Sequence, residues 1–242
     1  MIRYDTRCAM RLLAILTVVC INHAATAQIA PRSETNPVVS SFSVSGTRSI
    51  QALLQLAQSE GIPIGIVVGD DQLCSMEISY SAQNAPALQI AEGIISSLRG
   101  YRVRMEQPSQ VIVVTPVNMT VATQEFLSLM DDRYMVRGNT QTLATMLWVH
   151  IRAILYPDQG TAGSILGSPD DAVSELDLKN ASVERILNRI AIRVKGAWVL
   201  RPLPTTLSNL GPQRPFHLFT KADGTPSNIT DLCSRVPESG SN

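Results

Sequence analysis

Apolar and polar positions follow strand and helix periodicities along residues 38–116. Phe42 and Val44 alternate with serines, which is typical of a strand that is buried on one face. The full pattern predicts strands at 38–44, 62–68, 76–80, 101–106 and 111–115, and helices at 50–57 and 88–98. Asn84 is expected to cap the second helix, and Gly100 to end it. The predicted order is therefore β-α-β-β-α-β-β, two helices packed between small β-sheets in an α+β fold.

A similar pattern returns about 96 residues later. A strand, an Asn-Ala pair, a helix, a glycine and an aromatic strand follow one another over 77–103 and again over 175–200. Further helices are expected at 121–130 and 140–155, and a mobile, glycine-rich loop at 160–168. Because a small β-α-β unit cannot bury both of its faces alone, a second, partial copy of the first unit is physically reasonable.

The first 27 residues have the features of a cleavable export signal. Three arginines precede an uncharged apolar run at 12–21, which is too short to span a bilayer, and Ala25-Thr26-Ala27 fits a signal peptidase. The mature chain is then expected to begin at Gln28. A disordered N-terminus and a lipoprotein signal at Cys20 are the weaker alternatives.

Composition excludes some functions of the mature chain. The full sequence holds 20 basic and 20 acidic residues, and removal of the signal leaves about 17 and 19. A net charge near −2 disfavours a general nucleic-acid binder, which needs a clustered basic surface. No later apolar run reaches membrane-spanning length, so no integral membrane segment is expected after cleavage.

Cys74 and Cys233 are the two cysteines that remain after cleavage. An even pair in an oxidising compartment is compatible with a disulfide that ties the C-terminal segment to the first unit. Two separate thiols are the alternative, since the sequence alone does not place the two Cα atoms.

These patterns divide the chain into five parts. They are a signal peptide (1–27), a leader (28–37), a first α+β domain (38–117), a second half-unit with a helical insertion (118–204) and a Pro- and Ser-rich flexible tail (205–242).

The first domain resembles the secretin and TonB short N-terminal domain. The resemblance rests on the segments 42–44, 50–63, 76–80, 88–101 and 111–114, and the second pattern at 176–203 is similar to half of that fold. Members of this family lie in the periplasm of Gram-negative bacteria and dock protein partners. The resemblance implies a periplasmic protein whose partner is an envelope protein: a secretin, a TonB-system protein or a regulator. Because no secretin β-domain or barrel sequence follows, docking without transport is expected.

The residues suggest no catalytic, metal or cofactor site. His150 falls within a predicted helix, and His217 lies in the predicted tail, where an edge strand or a short docking segment is expected. Neither has the partners that a catalytic triad or a zinc site requires. A small hydrolase that uses His150 is the least favoured hypothesis, and a small-ligand binder with a pocket between the two units is the main alternative to docking.

The strongest candidate for docking is the hairpin at 101–115. Exposed strand edges can accept another chain by β-augmentation, and this hairpin carries Arg102, Arg104 and Gln110 beside an apolar Val-Ile-Val-Val run. The competing interpretation is that the hairpin belongs to the ordinary core.

Overall fold

A five-stranded sheet forms the centre of the described structure. The computed structural model describes residues 36–70, 72–158, 174–220, 223 and 229–236. The predicted signal peptide, most of the predicted leader and the predicted loop at 160–168 lie outside the described residues. The described elements confirm the α+β fold class.

The strands and helices have the following bounds. The strands are β1 (Val38–Arg48), β2 (Ile64–Val67), β3 (Glu77–Pro86), β4 (Tyr101–Glu106), β5 (Val111–Pro116), β6 (Met130–Gly138), β7 (Ser174–Ser182), β8 (Ala197–Leu200) and β9 (Phe216–Phe219). The helices are α1 (Ser49–Glu60), α2 (Gln72–Ser75), α3 (Ala87–Ile95), α4 (Val121–Ser128), α5 (Thr140–Leu155), α6 (Val183–Val194) and α7 (Thr230–Cys233), with a 3-10 turn at Leu207–Asn209.

The central sheet has the strand order β4-β5-β2-β8-β9. β2 lies in the middle and is parallel to both β5 and β8, while the β4/β5 and β8/β9 pairs are antiparallel. The predicted first domain therefore supplies three strands of this sheet, and the chain after residue 117 supplies the other two. The two predicted units share one sheet.

Two separate hydrophobic cores cover the two faces of this sheet. Alternate residues of the strands face opposite sides, so that Ile66 and Val114 contact one core while Val67 and Val113 contact the other. The first core also holds α1, α3 and the two-stranded ribbon β1/β3, and the second holds α4, α5, α6 and the ribbon β6/β7. Since both faces are covered, the central strands are apolar at nearly every position.

Each ribbon is anchored to the helix that follows it in the same way. The backbone N–H of Ala87 donates to the carbonyl of Pro37 over 2.8 Å, and that of Val183 donates to the carbonyl of Leu129 over 2.9 Å. In both cases the first residue of the helix reaches the residue before the ribbon's first strand. This shared contact supports the similarity of the two units.

The role predicted for Asn84 is wrong. β3 continues to Pro86, which is the N-cap of α3, and the side chain that accepts an N–H of the first turn is that of Asn36, from Leu88 over 3.3 Å. Asn84 instead adopts a left-handed conformation with φ 50°, and Asn180 in β7 does the same with φ 46°. Asparagine tolerates this region better than most residues because its short side chain can hydrogen-bond locally.

The structure corrects the flexible tail predicted over 205–242 for the residues that it describes there. β9 pairs with β8, and α7 packs on the first core. The buried apolar side chains of this segment are Leu207, Leu210, Phe216, Ile229, Leu232 and Val236. Proline and serine content favoured a loop, but these spaced apolar residues gain more from burial than from solvent exposure.

Candidate functional site

The edge strand β4 carries the residues that the sequence singled out for docking. β4 is the outermost strand of the central sheet, and among the described strands it pairs with β5 alone. Its inner side is hydrogen-bonded to β5, while its outer side has no described strand beside it. An edge of this kind presents unpaired backbone groups.

The register shows which backbone groups of β4 point outward. Val117 N–H donates to the carbonyl of Gly100, so that pair is hydrogen-bonded. Ile112 N–H donates instead to Pro63, on the β2 side, and Ile112 is opposite Met105. Because hydrogen-bonded and non-bonded pairs alternate in an antiparallel ladder, the backbone groups of Val103 and Met105 point away from β5.

Arg102 and Arg104 lie on the same side of β4 but have different surroundings. Arg102 is exposed, and its Nε donates weakly to Thr115 Oγ1 over 3.4 Å. Arg104 forms an ion pair with Glu106 at 3.1 Å and another, short contact with Glu184 of α6. The positive charge of Arg104 is therefore compensated within the chain, whereas that of Arg102 is available to a partner.

Gln110 is not part of this surface. It lies in the turn between β4 and β5 with φ 56°, and its N–H donates to the carbonyl of Glu106 over 2.7 Å. Its role in the described structure is to close the hairpin. The Val-Ile-Val-Val run of β5 is completely buried and belongs to the two cores.

A buried polar network connects β4 to the second unit. Glu106 accepts from Asn188 Nδ2 over 2.9 Å, and Asn188 Oδ1 accepts from the indole N–H of Trp198 over 2.8 Å. Burial raises the pKa of Glu184, and the neighbouring Arg104 partly opposes this shift. Sequence reasoning did not identify Asn188 or Glu184, although an asparagine within the apolar pattern of a helix is a signal of a buried polar contact.

Cys74 of α2 and Cys233 of α7 are joined by a disulfide. Their Cα atoms are 6.1 Å apart, within the usual bridging range. The bond ties the C-terminal segment to the first core.

His150 contacts a carboxylate but no nucleophile. Its Nδ1 is 2.7 Å from Asp131 Oδ2, and its ring lies edge-on to Tyr134 with centroids 5.5 Å apart. In the described part of the chain, no hydroxyl or thiol hydrogen-bonds to this imidazole. The pair connects α5 to β6, and Tyr134, whose pKa is raised by burial, donates to the carbonyl of Leu143.

A cavity of about 210 Å³ lies at the carboxyl ends of β2, β5 and β8. This is the position where open parallel sheets commonly bind ligands. Its polar lining includes Asp70, Asn118 and Thr120. Tyr101 holds the loop after β2, since its hydroxyl donates to Asp70 Oδ1 over 3.2 Å and accepts from Gly69 N–H over 2.9 Å.

A second, more open cavity of about 370 Å³ lies beside β9 at the other edge of the sheet. Two arginines and His217 contribute to its lining. His217, for which the sequence indicated an edge strand or a short docking segment, is held in the edge strand β9 opposite Val199.

Comparisons of this chain with family models, with curated proteins and with solved structures find no match. Within the described residues, no helix has both the length and the apolar character needed to cross a bilayer.

Proposed function

We propose that this chain is an exported periplasmic protein-interaction module, which binds an extended segment of an envelope protein as an added strand beside β4. The observation that carries the proposal is the open outer edge of β4, where Val103 and Met105 direct their backbone groups away from β5. Such groups hydrogen-bond to an incoming strand in β-augmentation.

Two features of the sequence support the compartment and the partner class. The N-terminal 27 residues fit an export signal. The resemblance of 38–117 to the secretin and TonB short N-terminal domain favours a secretin, a TonB-system protein or a regulator as the partner. The observed order of elements from β1 to β5 is the one expected for that domain, apart from the added one-turn helix α2.

The surroundings of β4 define the chemistry of the partner segment. Val103 and Met105 are partly buried and pack on the first core, so an added strand gains apolar contacts on that face. Arg102 is exposed on the other face, where a carboxylate of the partner would meet it. The expected segment is extended, with apolar residues at alternate positions and an acidic residue between them.

Peptide binding provides a direct test of this proposal. Ten-residue peptides that tile the periplasmic parts of secretins, TonB-system proteins and their regulators would be titrated against the mature chain. Amide hydrogen exchange would then be measured in each complex. Binding that slows exchange at Val103 and Met105 is the expected result, because these N–H groups become hydrogen-bonded.

Proline substitutions at the two edges of the central sheet distinguish peptide binding at β4 from binding at any exposed edge strand. Val103→Pro removes an outward N–H without removing a β4–β5 hydrogen bond, and we expect it to abolish peptide binding. Leu218→Pro is the matched control, because Arg201 N–H bonds to Pro215 and the alternation then places the N–H of Leu218 outward from β9. Unchanged binding by Val103→Pro, or loss in the Leu218→Pro variant alone, would contradict the proposal.

A further inference from the structure

Two arginines and a histidine line the cavity beside β9. One wall comes from the first half of α5 and the other from the hairpin β8/β9. The residues that matter are Gln141, Thr145 and Trp148 on α5, and Arg201, Arg214 and His217 on the hairpin.

Arg201 is only 9 % exposed, although its guanidinium carries a full charge. Its Nε and one terminal nitrogen donate to the carbonyl and the hydroxyl of Ser234, over 3.3 and 3.2 Å. These partners are neutral. No described carboxylate lies within ion-pair distance of Arg201, and the more distant Asp231 balances its charge only in part.

Arg214 is in a similar position on the same cavity. Its Nε donates to the carbonyl of Phe216 over 3.0 Å, and its guanidinium lies 5.5 Å from the centroid of the Phe216 ring. Its two terminal nitrogens have no hydrogen-bond partner among the described residues. Burial lowers the pKa of both Arg201 and Arg214, which reflects the cost of holding these charges away from water.

His217 adds a buried nitrogen that has no partner in the described part of the chain. Its Nε2 is inaccessible to solvent and makes no hydrogen bond there. Burial, followed by the charges of Arg214 and Arg201, lowers the pKa of His217 to about 4. The ring is then neutral at pH 7, and in one of its tautomers Nε2 can donate a hydrogen bond.

We propose that this cavity binds a small oxyanion, the carboxylate or phosphoryl group of an organic molecule, between Arg201 and Arg214, with the rest of the molecule against Trp148. Buried cations are normally paired, and a guanidinium binds a carboxylate or phosphate through two parallel hydrogen bonds. Gln141 lies in the first turn of α5, where the helix dipole also favours an anion.

The proposed site is independent of docking at β4. The two edges of the central sheet are separated by β5, β2 and β8. Val103→Pro is therefore expected to leave oxyanion binding unchanged, so the failure of one proposal is distinguishable from the failure of the other.

Calorimetric titration of the mature chain at pH 7 with inorganic phosphate, succinate and neutral succinamide tests the site. We expect saturable binding of phosphate or succinate and none of succinamide, with weaker binding at higher salt. A preference for phosphate identifies a phosphoryl ligand, and a preference for succinate identifies a carboxylate. The absence of binding by both anions would overturn the proposal.

Arg214→Gln removes one of the two guanidiniums and should weaken the binding by about ten- to a hundredfold. Arg137→Gln is the matched control, because Arg137 is exposed on β6 and the substitution lowers the net charge equally. Equal losses in both variants would show a general charge effect and would overturn the proposal, as would unchanged binding in Arg214→Gln.

A second pair of variants keeps both arginines and changes the α5 wall of the cavity instead. Thr145→Glu places a carboxylate on the α5 wall, where it can pair with the guanidiniums, and is expected to abolish oxyanion binding. Thr145→Gln introduces a side chain of nearly the same shape as glutamate but without its charge, and this variant should retain binding. If both variants bind phosphate or succinate as the unmodified chain does, the cavity is not the binding site and the proposal fails.

Discussion

The first unit packs a ribbon with α1 and α3 on one face of the central sheet, and the second unit packs a ribbon with α4, α5 and α6 on the other face. The two units contribute strands to that sheet differently. The first unit supplies the hairpin β4/β5 and also the central strand β2. The second unit supplies β8, which pairs with β2 over Ile64 to Val67, and the segment after residue 204 supplies β9. A half-unit can therefore fold on this chain because it covers the open side of a strand that belongs to the complete unit.

The largest expected loss of stability comes from a substitution at Trp198, where β8 pairs with β2 of the first unit. This side chain is completely buried. Its indole lies against Gly65, where an added Cβ would lie 2.3 Å from the ring. Trp198→Ala should lower the free energy of unfolding by about 3–5 kcal/mol. Urea denaturation followed by circular dichroism, which does not depend on the removed tryptophan, measures this loss.

Gly65→Ala, made in the unmodified chain and in the Trp198→Ala variant, tests whether the Trp198 indole fills the space beside Gly65. In the unmodified chain the new methyl group overlaps Trp198, and we expect a loss of about 1–3 kcal/mol. In the Trp198→Ala background the same substitution should cost much less, since the overlap is gone. Equal losses of stability in the two backgrounds would show that the Trp198 ring does not exclude a side chain at position 65.

The disulfide tests whether the C-terminal segment is tied to the first unit. Cys74 and Cys233 are 159 residues apart in sequence, and a loop of that size corresponds to a loss of stability of up to about 5 kcal/mol on reduction. A Cys74→Ser/Cys233→Ser variant should lose about 2–5 kcal/mol by urea denaturation. An oxidised chain and a doubly substituted chain of the same stability would contradict a stabilising role.

His217 distinguishes β9 from β5, which has no titratable side chain, through the dependence of stability on pH. The pKa of His217 is lowered to about 4 in the folded chain, so the unfolded chain binds the proton first as the pH falls. This contribution to stability is complete above about pH 6.5 and is lost between about pH 6.5 and 4. Because the ring is partly exposed, we expect a loss of only about 1–2 kcal/mol.

A His217→Gln variant isolates this effect from the carboxylates that titrate near the same pH. Arg214 and Arg201 disfavour the charged imidazole and Asp231 favours it, and all three remain in the variant. Between pH 7 and 4.5 the unmodified chain should lose more stability than the variant does. Parallel profiles would rule out His217 as the source.

The smallest expected loss of stability comes from substitutions at two asparagines that hold corresponding positions in the two units. Asn84 and Asn180 both have positive φ before the helix of their own unit. Replacement by Ala should cost about 1 kcal/mol at each site, and replacement by Gly much less. Urea denaturation of the four variants would show whether the two sites are equivalent, and a cost at one site alone would contradict the similarity of the units.

Local patterns were sufficient to predict most elements of this fold. The helix at 140–155 was predicted with its observed bounds, because its apolar residues keep helical spacing until Pro157 interrupts it. The strands at 101–106 and 111–115 were predicted almost as well, since a turn separates two apolar runs. These features depend on residues that are close together in the sequence.

Pairings between distant segments could not be predicted in this way. β2 and β8 are both buried on two faces, and nothing in either run specifies the other as its neighbour. The same is true of the contact between Glu106 and Asn188 and of the charged cavity beside β9. Arg102 and Arg104 were recognised as a pair, but the ion pair of Arg104 with Glu184 depends on where α6 packs.

The central position of β2 has a consequence for the order in which the chain folds. About 130 residues separate the end of β2 from the start of β8, so β2 emerges into the folding compartment well before the strand that pairs with it. Until β8 follows, that side of β2 remains an unfilled, apolar strand edge, open to other unfolded chains. Such a delayed, long-range closure predicts slow folding and a need for chaperone protection until the last two strands emerge.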